Sequence, residues 1–284
     1  MGRFSGYLFL SDYDLSFTAH GGAVPEANLT AVRSFMEEGG LFAVSTGRSV
    51  PLFLPMARKT PANAPFLFCN GAVAYDVAAE RTLFESSFDP SIWDYMEDLK
   101  AHFPQFHYEL QCPEGHFAWS VAPDRQVLFD MLGVKRFDAV PHSPGHPVDF
   151  AFIGGPFYYP GTQAEGLKTL DPHWDTDFEA VIRYIRGTSP YRPVRSMRHI
   201  TEFMPEGVSK GSGARRLLEA LHCHTLVTLG DAPNDFDMLE AADLAFMPAD
   251  GYVEAGKTLR ADLHVVCPCG DGAVAGVVEM LKKL

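Results

Sequence analysis

The sequence predicts an α/β fold in which a parallel β-sheet is covered by helices on both faces and an α+β module is inserted into it. Short apolar runs alternate with amphipathic stretches over the first 75 residues, and the alternation returns near the C-terminus. Apolar strands separated by helices form parallel sheets that are buried on both faces. Between the two regions the chain is rich in proline, histidine and aromatic residues. We therefore expect a core domain of residues 1–83 and 196–284 and an inserted domain of residues 84–195.

The N-terminal region contains three predicted strands and two predicted helices. The strands are "YLFLSD" (7–12), "LFAVST" (41–46) and "PFLFCN" (65–70). The stretch 25–40 has a proline at its start, glycines at its end, and apolar residues at Leu29, Val32, Phe35 and Met36. This pattern indicates a helix with one buried face. A shorter helix is expected in "SVPLFLPMARK" (49–59).

The C-terminal region repeats the pattern. Helices are predicted in 209–222, 234–242 and 271–284, and strands in "TLVTLGD" (225–231) and "LAFMPA" (244–249). The stretch 73–85 resembles a hairpin and bounds the inserted module, in which we expect amphipathic strands such as "DFEAVIRYIR" (177–186). The aromatic and imidazole side chains of the insert either contact a substrate or form its core; they include His107, Trp119, Tyr158, Tyr159 and Trp174.

Composition excludes several classes of function. The 284 residues carry 23 Lys and Arg against 36 Asp and Glu, a formal net charge of −13. Such a surface repels phosphate backbones, so we expect no nucleic-acid partner. There is no long apolar run and no signal-peptide pattern, which predicts a cytoplasmic protein without a membrane partner. A small anionic substrate would need local cations or a metal ion.

The five cysteines do not form a recognisable framework. They are Cys69, Cys112, Cys223, Cys267 and Cys269. An odd number without regular spacing predicts reduced thiols. The stretches "HCH" (222–224) and "CPC" (267–269) each lack the second half of a zinc-binding pattern, so we expect these residues to pack as ordinary side chains.

Polar residues follow the predicted strands at the points where those strands end. Asp12 and Asp14 follow the first, Thr46 and Arg48 the second, Asn70 and Gly71 the third, and Asp231, Asn234 and Asp235 a C-terminal one. The carboxyl ends of parallel strands form the ligand-binding edge of an open sheet. We therefore expect these residues to share one crevice, close to Lys210 at the start of a helix.

Such a set of side chains is suited to phosphoryl transfer. Several converging carboxylates repel one another unless a cation lies among them, and Mg²⁺ prefers oxygen ligands. Of two aspartates in one loop, one can attack phosphorus as a carboxylate nucleophile. The other can protonate the leaving oxygen and then activate water. The sequence thus indicates a Mg²⁺-dependent reaction through an aspartyl-phosphate.

Five motifs in order resemble the haloacid dehalogenase superfamily: "DYD" (12–14), "STGRS" (45–49), "CNGA" (69–72), "GVSKGSG" (207–213) and "GDAPND" (230–235). In particular the chain resembles the Cof-like sugar-phosphatase subgroup, which carries a large α/β cap of type IIB. The resemblance implies a Rossmann-like three-layer core and a cap that closes over it and supplies specificity. It also implies a phosphatase for small phosphomonoesters such as sugar phosphates, with a small phosphorylated metabolite as the partner.

The resemblance implies catalytic roles for four residues. Asp12 would be the nucleophile and Asp14 the general acid and base. Thr46 would hydrogen-bond the transferring phosphoryl group, and Lys210 would neutralise charge on the nucleophile and the phosphate.

The resemblance also implies a metal site and substrate contacts. Mg²⁺ would be bound by Asp12, Asp231 and the backbone carbonyl of Asp14, with Asn234 and Asp235 supporting the metal and phosphate. The implied metal-site residues are thus Asp12, Asp14, Asp231 and Asp235, and the implied substrate-binding residues are Arg48, Asn70, Gly71 and Asn234.

Other interpretations stay open at this point. A phosphomutase or phosphotransferase would use the same aspartyl-phosphate. A catalytically weak phosphate-binding homologue would fit Leu15, because related phosphatases usually have glycine after the second aspartate. "GYVEAGKT" (251–258) satisfies a P-loop pattern but has Glu254 in the loop. "GVSKG" (207–211) fits a nucleophile elbow at Ser209, yet no strand runs directly into it.

Overall fold

A computed structural model describes residues 2–112, 115–118, 148, 150–154, 173–197, 200–252 and 260–284. The described strands, in chain order, are β1 (Tyr7–Asp12), β2 (Leu41–Ser45), β3 (Phe66–Phe68), β4 (Val73–Asp76), β5 (Arg81–Glu85), β6 (His107–Cys112), β7 (Gly115–Ala118), β8 (Phe150–Gly154), β9 (Arg192–Met197), β10 (Ile200–Met204), β11 (Thr225–Leu229), β12 (Leu244–Pro248) and β13 (His264–Val266). The described α-helices are α1 (Glu26–Glu37), α2 (Val50–Ala57), α3 (Ile92–His102), α4 (His173–Thr188), α5 (Lys210–Ala220), α6 (Phe236–Ala241) and α7 (Ala273–Leu281).

The chain divides into two compact units, Met1–Glu85 with Gly207–Leu284, and Ser86–Glu206. The chain therefore returns from the second unit to the first between residues 206 and 207, and not between 195 and 196 as expected. The physical reason is that β10 pairs with both β8 and β9 in the sheet of the second unit. The chain leaves the first unit between residues 85 and 86, because β5 completes the predicted hairpin by pairing with β4 in that unit.

The first unit contains an eight-stranded sheet in the order β13-β12-β11-β1-β2-β3-β4-β5. The strands from β13 to β3 are parallel, and β4 and β5 are antiparallel additions. β1 is buried on both faces: Leu8 and Leu10 belong to a cluster with residues of α5 and α6. On the opposite face the Phe9 ring contacts Phe35 of α1 at 5.8 Å. Helices therefore cover the sheet on both sides, which confirms the predicted three-layer α/β core.

The second unit contains an antiparallel sheet in the order β7-β6-β8-β10-β9, packed against α3 and α4. The prediction of a strand at 177–186 is wrong, because these residues lie within α4. Phe178, Val181, Ile182 and Ile185 are all buried, and their spacing of three and four residues places them on one helical face. The apolar residues of "DFEAVIRYIR" therefore recur with helical spacing and not with the period of two that a strand requires.

Several expectations fall outside the described residues. These are the environments of Trp119, Tyr158 and Tyr159, the side chains of His107 and Trp174, and most of the P-loop-like stretch. Within the part of the chain that the structure describes, no helix is both long and apolar enough to span a membrane.

Candidate active site

The register of the parallel strands brings the predicted residues to one edge of the sheet. Asp12 is opposite Ser45, and Ser11 is opposite Leu229. The residues that follow β2 and β11 therefore lie beside the end of β1, as the strand-end rule predicts. Thr46 follows β2 directly, and its hydroxyl accepts a hydrogen bond from the Arg48 backbone N–H at 3.2 Å.

A tight turn, Tyr13–Phe17, carries the second aspartate away from β1. Thr18 closes this turn, since its backbone N–H and its hydroxyl both donate to the Tyr13 carbonyl oxygen, at 2.9 and 3.1 Å. Leu15 lies inside the turn with φ of 61° and ψ of 11°. This left-handed conformation favours glycine, and a side chain there is strained.

Lys210 joins two of the acidic residues at the start of α5. It is fully buried, and its Nζ donates to Asp12 Oδ1 at 2.5 Å and to Asp235 Oδ1 at 2.6 Å. A lysine at a helix N-terminus opposes the helix dipole, so the two carboxylates supply the stabilisation. Ser209 caps the same helix through reciprocal hydrogen bonds with Ser212. This capping role, and the absence of a strand running into Gly207, argue against a nucleophile elbow at Ser209.

Asp235 is an anchor for the loop that follows β11. Its second oxygen, Oδ2, accepts hydrogen bonds from the backbone N–H groups of Asp231 at 3.1 Å and Ala232 at 3.0 Å. The loop packs tightly against it, since a Cβ atom on Gly230 would lie 2.4 Å from the Asp235 Cβ. Asp235 thus holds both Lys210 and the segment that presents Asp231.

Asp231 completes the acidic cluster. The Ser16 hydroxyl donates to its Oδ1 at 3.0 Å, so the turn after β1 and the loop after β11 are joined directly. Carboxylate oxygens of Asp12, Asp231 and Asp235 all lie within 4.8 Å of one another. The contact with Lys210 uses only Oδ1 of Asp12. Its second oxygen, Oδ2, accepts no hydrogen bond from the residues that the structure describes.

The electrostatics of the cluster show an excess of negative charge. Burial raises the pKa of Asp12 well above its usual range; Lys210 opposes the rise, and Asp235 and Asp231 add to it. Burial and the charge of Asp235 raise the pKa of Asp231 to about 7. Burial by itself would lower the pKa of Lys210, but the charges of Asp12 and Asp235 outweigh it and raise that pKa.

The donor set fits a hard divalent cation. Four carboxyl groups, from Asp12, Asp14, Asp231 and Asp235, face two cations, Lys210 and Arg48. If all six are ionised, two positive charges are lacking, which is the charge of Mg²⁺. The oxygens of the cluster belong to carboxylates, which are the ligands that Mg²⁺ prefers.

The predicted substrate-binding residues surround this cluster. Arg48 Nη2 donates to Asp14 Oδ1 at 2.7 Å, and Asn234 Nδ2 donates to Asn70 Oδ1 at 3.3 Å. Gly71 also has a structural reason to be glycine: its φ is +92°, and a Cβ there would lie 2.3 Å from the Ser209 carbonyl oxygen. The loop after β3 can therefore pass close to the start of α5.

Sequence reasoning missed two residues that position the site. Ser16 holds Asp231 in place through its hydroxyl, and nothing in the neighbouring sequence marks it for this role. The buried Asn28 donates through Nδ2 to the Phe17 carbonyl at 2.9 Å, and its Oδ1 accepts the Ala275 N–H at 3.1 Å. It thereby ties the turn Tyr13–Phe17 to α7. A polar residue on the otherwise apolar face of α1 was the only local sign of this role.

Known proteins match the chain in family and fold. The family model described as haloacid dehalogenase-like hydrolase matches residues 9–120 and 165–258. No curated protein gives a significant match. Similar solved structures include a haloacid dehalogenase-like hydrolase from B. subtilis, with 18% identity, coverage of 98% of this chain and 99% of that chain, and a TM-score of 0.74.

Two phosphatases of the superfamily have the same fold. The subclass IIB sugar phosphatase BT4131 shares 13% identity over 98% of this chain and 99% of its own, with a TM-score of 0.75. The phosphatase BT1666 from Bacteroides thetaiotaomicron shares 15% identity over 99% and 95%, with a TM-score of 0.71. The family match and the fold together show that this chain belongs to the haloacid dehalogenase-like hydrolase family, as its five motifs indicated.

Proposed function

We propose that this protein is a Mg²⁺-dependent phosphatase that hydrolyses small phosphomonoesters through an aspartyl-phosphate on Asp12. One observation carries the proposal: Asp12 is held by Lys210 through one oxygen, while its other oxygen is unengaged by the described residues and lies in a buried acidic cluster. A carboxylate oriented in this way can act as a nucleophile.

In the first step, Oδ2 of Asp12 would attack phosphorus while the bond from phosphorus to the ester oxygen breaks. Asp14 would donate its proton to that oxygen, so the product leaves as an alcohol. Lys210 would neutralise charge on the nucleophile. Arg48 contacts the Asp14 carboxylate in this structure, and an anionic group of the substrate would offer the guanidinium another partner.

In the second step, Asp14 would take a proton from a water molecule whose oxygen attacks the phosphorus. The bond from phosphorus to Asp12 then breaks, and phosphate leaves with the nucleophile restored. General acid–base help of this kind contributes about 10²–10⁴-fold in rate. Asp14 is suited to both steps, because its side chain is 47% exposed whereas Asp12 is largely buried.

We infer that Asp12, Asp231 and the backbone carbonyl of Asp14 would hold Mg²⁺, with Asp235 supporting them. When bound, the ion supplies positive charge for the phosphate oxygens and lessens the repulsion between the nucleophile and its substrate. Asp235 itself has no spare oxygen, since Lys210 occupies Oδ1 and two backbone N–H groups occupy Oδ2. Its contribution is to fix the positions of Asp231 and Lys210.

We further propose a sugar phosphate or a similar cytoplasmic metabolite as the substrate. The fold is shared with a protein described as a sugar phosphatase, which supports this class. Arg48, Asn70 and Asn234 would contact the substrate, since they lie around the acidic cluster and offer a cation and two amides. The cysteines that the structure describes outside β6 are not joined in disulfides, in keeping with a reducing compartment.

The test measures phosphate release from sugar phosphates, phosphoglycerates, nucleotides and cofactor phosphates, with Mg²⁺ and with EDTA. We expect metal-dependent release that falls to background in Asp12→Asn and by about 10²–10⁴-fold in Asp14→Asn. Glu26→Gln is the control for loss of a carboxylate, because the Glu26 side chain is 79% exposed and lies outside the five motifs. Release that survives in Asp12→Asn or in EDTA would refute the proposal.

The same assay separates the alternatives. A phosphotransferase would consume the substrate faster than it releases phosphate when an alcohol acceptor is present. A binding homologue would bind Mg²⁺ and phosphate esters without turnover, and Leu15→Gly would then test whether the strained turn prevents the reaction.

A further inference from the structure

A second group of side chains with metal-ligand chemistry lies apart from the acidic cluster. It consists of His20 in the loop after the catalytic turn, Asp250 after β12, and Cys269 just before α7. One donor atom from each of the three lies within 4.8 Å of the other two. Asp12, Asp231 and Asp235 form the other such group in the described part of the chain, and it contains only oxygen donors.

The distances within this group already resemble a coordination sphere. Cys269 Sγ lies 3.2 Å from Asp250 Oδ2, and His20 Nε2 lies 3.5 Å from the same oxygen. Tetrahedral Zn²⁺ with ligand bonds of about 2.0–2.3 Å separates its donor atoms by roughly 3.3–3.8 Å. Asp250 is itself held in place, because its Oδ1 accepts the Cys269 backbone N–H at 2.9 Å.

The three donors also differ in exposure in a way that permits entry of an ion. Cys269 is fully buried, the Asp250 side chain is 30% exposed, and that of His20 is 69% exposed. The imidazole is carried by a short turn, in which Ala19 accepts a hydrogen bond from Gly22 at 3.0 Å. The buried thiol and the held carboxylate line the inner side of the site, and the exposed histidine can approach an ion from the solvent side.

We propose that His20, Asp250 and Cys269 form a second metal site, selective for a borderline divalent cation of the Zn²⁺ class. Imidazole, thiolate and carboxylate together suit Zn²⁺ and Co²⁺, whereas Mg²⁺ avoids sulfur. The fourth position would be taken by water. Binding would release the Cys269 thiol proton to solvent, since the thiolate is the ligand.

The site would join segments that also carry the acidic cluster. The Tyr252 backbone N–H, two residues after Asp250, donates to the Asp231 carbonyl oxygen at 2.6 Å. Thr18, two residues before His20, closes the turn that holds Asp14. An ion at this site would therefore fasten both segments to the start of α7. The pattern was invisible in the sequence because "CPC" has its partners about 250 and 20 residues away along the chain.

The test uses Co²⁺ as a spectroscopic substitute, added to metal-stripped protein in buffer without Mg²⁺. A Co²⁺–thiolate bond absorbs in the near ultraviolet, and an all-oxygen site does not. We expect one equivalent of Co²⁺ to produce this band in the wild-type protein and in Asp12→Asn, and Zn²⁺ to displace it. Cys269→Ser should abolish the band, and Cys223→Ser, which changes a thiol elsewhere, should leave it intact.

Because Cys269 is buried, its replacement can disturb the fold, so a second variant is needed. His20→Asn serves this purpose, because the histidine is exposed in a loop. It should weaken Co²⁺ binding at least tenfold without changing the circular dichroism spectrum. Zn²⁺ should also raise the melting temperature of the wild-type protein but not that of His20→Asn. Absence of the thiolate band, its survival in Cys269→Ser, its loss in Asp12→Asn, or unchanged affinity in His20→Asn would each overturn the proposal.

Discussion

At Leu15 we predict that glycine makes the protein more stable than alanine does, which is the reverse of the usual order. With φ of 61°, Leu15 is in the left-handed region, and 37% of it is exposed. For a residue with a Cβ this conformation costs about 1–2 kcal/mol, whereas glycine adopts it freely. Glycine also makes the unfolded chain more flexible, which costs about 0.5–1 kcal/mol relative to alanine.

The comparison that isolates the backbone is Leu15→Gly against Leu15→Ala. Both changes remove the leucine side chain beyond Cβ, so the lost packing is nearly the same. Relief of about 1–2 kcal/mol, offset by about 0.5–1 kcal/mol, leaves the glycine variant more stable than the alanine variant by up to about 1.5 kcal/mol. The free energy of unfolding of each variant is obtained from urea titration followed by circular dichroism.

A helical position provides the matched control. Arg33 lies in α1 with its side chain 58% exposed. There the glycine variant should be less stable than the alanine variant by about 1 kcal/mol, because helical φ gives glycine no advantage. If the alanine variant is the more stable one at position 15 as well, Leu15 does not have the left-handed conformation and the argument from strain fails.

Three further predictions concern packing, buried charge and pH. Gly71→Ala should lower the free energy of unfolding by more than the usual cost of a surface change, because its Cβ would meet the Ser209 carbonyl at 2.3 Å and φ is +92°; urea titration measures it. Lys210→Met should cost about 3–5 kcal/mol, because it leaves two buried carboxylates without their shared partner; urea titration measures this too, and phosphate release should be lost. Asp243 gives the pH dependence: desolvation would raise its pKa, but hydrogen bonds from the Leu226 N–H and Arg215 outweigh it and lower that pKa. A carboxyl group with a lowered folded-state pKa stabilises the protein above its unfolded pKa of about 3.9 and loses this effect as pH falls further. The stability advantage of the wild-type protein over Asp243→Asn should thus be constant near neutral pH and shrink below about pH 4.

Each of these has a distinct contrary result. An unchanged unfolding curve for Gly71→Ala would mean that the loop after β3 does not pass so close to α5. Wild-type stability in Lys210→Met would mean that Asp12 and Asp235 are solvated or protonated without the lysine. A wild-type advantage that persists undiminished in acid would show that Asp243 is not held by its hydrogen bonds in the ionised form.

Much of the core could be predicted because its signals are local. The apolar run of β1 and the helical spacing in α1 are each set by neighbouring residues, so they can be recognised without knowledge of the fold. The one clear error in secondary structure, α4, arose because a short segment with alternating apolar pairs suits either period. The strand-end rule then placed Asp12, Thr46 and Asp231 at one edge, because parallel pairing aligns strand ends.

The sequence by itself thus determined the family, the parallel core and the identity of the acidic residues. The tertiary structure decided which contacts each of those residues makes. It showed that both oxygens of Asp235 are occupied, that Ser16 holds Asp231, and that Leu15 is strained. It also brought His20, Asp250 and Cys269 together. The pairs Ser16–Asp231 and His20–Asp250 are each more than 200 residues apart in the chain, and only the packing of the sheet and its loops brings their side chains together.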